Sequence, residues 1–103
     1  SVFNKIIMKE LEKEFIGKGQ VKGFLFTQIK KTEFGYIYKV VDAGNLRYEV
    51  FKRKLNVRFE CISYPSNKAF GIWAFTTPLL CRANEILEDF DKSNDFEELS
   101  NTF

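Results

Sequence analysis

Residues 34–53 place the tightest constraint on what this chain can become. Two runs of alternating side chains, FGYIYKVVD at 34–42 and LRYEVFKR at 46–53, are separated only by the Asp42-Ala43-Gly44-Asn45 region. A period of two sends successive side chains to opposite faces of a strand. A short Gly/Asn cluster between two such runs is the local signature of a hairpin. Phe34, Tyr36, Tyr38 and Val40 share one face of the first run, with Gly35, Ile37, Lys39 and Val41 on the other. In the second run Leu46, Tyr48 and Val50 are expected toward the core, and Arg47, Glu49, Phe51 and Arg53 away from it. The chain is therefore expected to build a largely antiparallel sheet outward from this pair.

Three further segments read as strands. Residues 20–30 look extended, with Gly23 marking a bulge or a close approach. Residues 57–64 alternate Val57, Phe59, Cys61 and Ser63 with Arg58, Glu60, Ile62 and Tyr64, and Pro65-Ser66-Asn67 ends the run as a turn. Residues 69–76, AFGIWAFT, are apolar on both faces and fit a buried strand. Helical periodicity appears at both ends. Phe3, Ile7, Leu11 and Phe15 recur every four residues across 2–15, with Gly17 placed to end that helix. Thr77-Pro78 is a helix start, followed by a stripe of Leu79, Leu80, Ala83, Ile86, Leu87 and Phe90. The expectation is one α+β domain over 1–92. It has a five-stranded antiparallel meander flanked by an N-terminal and a C-terminal amphipathic helix, both packed on one face. Residues 93–103 read as an acidic tail or a short helical turn.

Composition narrows the chemistry. Aromatic residues reach 17%, with twelve Phe, which favours a sheet-rich fold. The chain has no histidine, so the usual base near neutral pH is absent, and a Ser-His or Cys-His pair cannot form within one chain. Two cysteines without histidine do not make a closed zinc site of the usual kind. Cys61 and Cys81 read as small buried thiols, and their spacing does not decide whether they pair. Neither a phosphate loop nor a dinucleotide fingerprint occurs, and the acids of the sheet region, Glu33, Asp42, Glu49 and Glu60, are scattered. These features point to a protein that is not an enzyme and needs no cofactor. No apolar run reaches the length of a membrane span and no secretory signal is visible, which favours the cytoplasm, although a start at Ser1 is compatible with processing or trimming.

Charge is unevenly spread. Residues 18–68 hold eleven Lys/Arg against four Asp/Glu, whereas residues 69–103 hold two against seven. The basic excess is densest at Arg47, Lys52, Arg53, Lys54 and Arg58, interleaved with Phe51. Cations that track phosphates beside an aromatic ring that stacks on bases are how single strands are held without sequence preference. Arg47, Arg53 and Arg58 are the expected phosphate contacts, with Phe51 as the platform and Lys52 and Lys54 near the turn. The expected function is a small binding module for single-stranded nucleic acid. The alternative is a homo-oligomeric or protein–protein interaction module, to which Trp73 and the many Phe residues would contribute. No membrane partner or small-molecule substrate is implied.

Overall fold

The structure, a computed structural model, describes residues 9–102. Its centre is the expected hairpin, formed by β3 (Gly35–Asp42) and β4 (Asn45–Lys52), in register from Gly35 opposite Lys52 to Asp42 opposite Asn45. Ala43 and Gly44 both take positive φ, 47° and 87°, the twist that a two-residue hairpin turn needs to follow the strands. β1 (Glu14–Ile16) and β2 (Leu25–Lys31) extend the sheet on one side, and a later strand, β7 (Ala74–Thr77), on the other. The order is β1-β2-β3-β4-β7, antiparallel throughout. Between β4 and β7 the chain makes a long excursion with its own two-stranded ladder, β5 (Leu55–Asn56) with β6 (Cys61–Ile62). One helix follows, α1 (Leu80–Thr102).

The α+β class and the five-stranded antiparallel sheet agree with expectation, but the details depart in three places. First, the described residues hold a single α-helix. The expected N-terminal helix lies partly in residues 1–8, outside the described residues. Its remainder is not helical: Lys9 bridges Cys61, and Phe15 sits in β1. Isolated short helices are marginal, so tertiary partners decide such segments. Here β2 supplies them: the Gln28 amide donates to the Lys13 carbonyl, and the Phe15 ring stacks on Phe26 with centroids 4.7 Å apart. Second, the run 57–64 adds no strand to the five-stranded sheet, and only Cys61–Ile62 pairs, in the small β5–β6 ladder. Val57–Phe59 is a 3-10 turn capped by Asn56, whose side-chain oxygen accepts from the Phe59 amide, and Glu60 adopts the left-handed conformation. Within 69–76 only residues from Ala74 on join the sheet, beside β4, so the sheet is no simple meander. Third, α1 continues over most of the stretch expected as a tail.

The sheet is covered on both faces. Ala83, Leu87 and Phe90 of α1 pack on Ile37 and Val50. Gly35 lets α1 approach, because a Cβ there would lie 2.7 Å from Leu87 Cδ1 and 2.7 Å from the Phe51 carbonyl oxygen. Thr32 ties the middle of the helix to the β2–β3 turn: its hydroxyl donates to Asp91 and accepts from the Phe34 and Gly35 amides. The opposite face carries Phe26, Tyr36, Tyr38, Val40 and Phe51, covered by the 53–73 excursion and by Leu11 and Phe15. Among the described residues that second layer has no helix other than single 3-10 turns.

Candidate functional site

The face of β4 that bears Arg47, Glu49, Phe51 and Arg53 is the floor of this second layer. Phe51 is 0% exposed, its ring stacked near Tyr36 and Tyr38 with centroids 5.5 and 5.8 Å away. Phe51 is therefore a core residue and offers no base a stacking surface. The cause is the 53–73 excursion, which folds back over a face that alternation alone left open.

The other five basic candidates are dispersed. Arg53 forms an ion pair with Glu10, Nη2 to Oε2 at 2.6 Å. Arg47 pairs through Nε with Glu49 at 3.2 Å. Lys52 points to the other side of the sheet, its ammonium 5.6 Å from the Phe90 ring centre. Lys54 lies over Trp73 at 5.7 Å, and Arg58 over the exposed Phe59 at 5.1 Å. Phe59, which alternates on one face with Val57 and Cys61 in the sequence, is 65% exposed because the 3-10 turn breaks that alternation. Cys81, expected buried, is exposed on α1, and both cysteines are free thiols. The six candidates thus do not share one surface.

What the second layer does create is a groove of about 830 Å³. One wall is the segment Lys9–Glu12 with the Gly17–Val21 turn, and the other is Cys61–Phe70. Gly17 is needed at the bend, since a Cβ there would collide with the Val21 carbonyl and side chain. The walls meet across an Asn67–Gln20 hydrogen bond of 2.8 Å. Most of its exposed surface is apolar, although charged and polar side chains line it as often as aromatic and aliphatic ones. Phe15 and Phe26 lie parallel, and Tyr64 stands edge-on to both at 5.6 and 5.2 Å.

Three polar groups converge on the apolar floor. Glu49, only 6% exposed, accepts from the Tyr64 hydroxyl at 2.7 Å on one oxygen and from Arg47 Nε on the other. Burial beside that carboxylate pushes the Tyr64 hydroxyl far above its ordinary pKa, so it stays a donor. The Arg47 guanidinium also rests on the Phe24 ring, 5.4 Å from its centre. A second network fixes the wall. Glu10 accepts from Arg53, from the Tyr36 hydroxyl and from Lys31, and the Tyr38 hydroxyl donates to the Glu12 carbonyl at 2.6 Å. The Arg53 guanidinium above all holds the Glu10 carboxyl at about 2, and burial pushes the Tyr36 and Tyr38 hydroxyls upward.

Arg47 was legible as a site residue, but Glu49 read as a solvated strand acid. Its signal was the opposite charge two positions away, on the same strand face as Arg47. Tyr64 had no such local sign, because its role depends on the excursion. Among the described residues no three His, Cys, Asp or Glu side chains are grouped to hold a metal, and no helix is long and apolar enough to cross a membrane. No known family model, curated protein or solved structure matches this chain.

Proposed function

We propose that this protein is a non-catalytic binding module whose ligand surface is the groove between the sheet and the 53–73 excursion. The observation that carries this reading is the convergence of Glu49, Arg47 and Tyr64 on a cleft of about 830 Å³ whose exposed lining surface is mostly apolar. Small-molecule sites have this character: concave, mostly apolar, with a few placed polar groups that fix orientation. A nucleic-acid strand fits less well, since Phe51 is buried and Lys52, Lys54 and Arg58 lie against rings away from the groove. The test uses a neutral apolar probe, 2-naphthylmethanol, followed by amide chemical shifts. Perturbations are expected at Phe15, Gly17, Tyr64 and Asn67, and Ser66→Trp, which fills the cleft from an exposed position, should abolish them. Perturbations scattered over the surface, or none, would sink the reading.

A second reading rests on a different feature. Ile16, Leu25, Val41 and Leu46 lie opposite one another across β1 to β4, on the side that α1 covers elsewhere. Ile16 is 63% and Leu46 46% exposed. This apolar row favours contact with a second copy. Sedimentation over a range of concentrations should then give a dimer that Leu46→Lys dissociates, and a monomer at every concentration would exclude it.

A further inference from the structure

We infer that the ligand of the groove is an organic anion with a flat apolar body, its charged head held by the free edge of the Arg47 guanidinium. The inference rests on the groove being a binding site and adds the chemistry of what enters it.

The argument turns on which hydrogen-bonding capacity of the floor is already used. Both Glu49 oxygens are engaged, one by Tyr64 and one by Arg47, and the carboxylate is buried beneath them. The Tyr64 hydroxyl donates inward to Glu49. Arg47 is the exception. Its guanidinium has five N–H donors, and only Nε has a hydrogen-bond partner among the described residues. The side chain is 30% exposed and lines the groove. Stacking on Phe24 and the bond to Glu49 fix its plane, so little freedom is lost when a ligand bonds to the remaining edge.

The rim adds to the same bias. Lys9 and Lys18 line the groove, and neither makes an ion pair among the described residues. Of the acids there, Glu10 is matched by Arg53 and Lys31, and Glu49 by Arg47, which leaves only Glu12 unmatched. What the site still offers is therefore mostly donors and positive charge. Charge-assisted bonds from a planar fork suit a carboxylate. Beside it the half-buried Phe15 and Tyr64 rings, backed by the buried Phe26, supply a surface for a flat apolar body.

The test compares three probes that share one body: 2-naphthoate, 2-naphthylmethanol and 2-naphthylmethylamine, titrated by calorimetry and amide shifts. Naphthoate is expected to bind about tenfold tighter than the alcohol, as charge-assisted bonds outweigh neutral ones, with the amine weakest. Arg47→Met should bring naphthoate down to the level of the alcohol. If removing the cation from buried Glu49 prevents folding, Arg47→Lys serves instead: it keeps the charge, lacks the fork and should lose affinity severalfold. Glu49→Gln removes the internal competitor for the guanidinium and should hold or tighten naphthoate binding. If the amine binds best, or if all three bind alike, the inference is overturned while the groove remains a binding site. If no probe perturbs the groove, the binding-module reading fails with it.

Discussion

Arg53 grips Glu10 with two nitrogens, Nη2 to Oε2 at 2.6 Å and Nε to Oε1 at 3.3 Å, across a separation of 43 residues. The pair ties the chain's leading segment to the end of β4. The Glu10 carboxyl, at about 2, lies below its ordinary 4.5. A depressed carboxylate stabilises the fold at pH values above its unfolded pKa and loses that contribution as pH falls through the folded value. Urea midpoints should therefore fall as pH drops from 4.5 toward 2. The gap between wild type and Glu10→Gln should be full at neutral pH and close over that window. Arg53→Glu sets two carboxylates face to face and should destabilise the fold at neutral pH, beyond removing one surface cation. An unchanged gap from neutral pH down to 2 would contradict this account.

Phe51 and Phe59 offer a direct comparison on one chemistry. Phe51→Ala removes a ring packed among Tyr36, Tyr38 and Tyr64 and should cost about 3–5 kcal/mol. Phe59→Ala touches an exposed ring and should stay within about 0.5 kcal/mol. Equilibrium denaturation of the two variants reads the difference, and equal losses would mean that the second layer does not cover β4 as described.

Gly35→Ala tests how closely α1 sits on the sheet. The added methyl meets a backbone oxygen of Phe51, which cannot rotate away, as well as a Leu87 methyl. Overpacking of this kind costs about 1–3 kcal/mol. The loss should show in thermal unfolding, with amide shifts concentrated along Leu87 to Asp91.

Ala43 sits at φ 47° in the hairpin turn, a conformation that a Cβ disfavours and Asn tolerates better. Ala43→Asn should stabilise the protein by about 0.5–1 kcal/mol, within the usual range for turn optimisation. Thermal unfolding would show a rise of a few degrees, and no change or a fall would place the strain elsewhere.

The sequence is legible where structure is decided locally. The 35–52 hairpin follows from alternation plus the Ala43-Gly44 turn, and α1 follows from Thr77-Pro78 and its stripe, although Leu79 and Leu80 are exposed. Thr77 does help start the helix, its hydroxyl accepting from the Leu79 amide at 3.2 Å, while its backbone remains in β7. Periodicity misleads where partners distant in sequence decide. Leu11 and Phe15 keep a helical spacing, yet both serve the second layer from backbone that is not helical, Phe15 from β1. Val57 and Phe59 alternate like a strand, yet Asn56 and Glu60 close a tight turn around them. The site is hidden for the same reason. Arg47 and Glu49 are neighbours on one strand, but only the returning excursion brings Tyr64 to Glu49 and makes a cleft of them.

The excursion also separates what must stay fixed from what is open to change. β4 and β7 pair whether the chain between them is short or long, because lengthening a loop adds closure entropy only logarithmically. Residues 53–73 are in effect a hairpin loop enlarged until it became a wall. Insertions or substitutions near Ser66 and Asn67 would reshape that wall without disturbing a single rung of the five-stranded ladder. A lineage carrying this scaffold could retune what it holds by editing one connection.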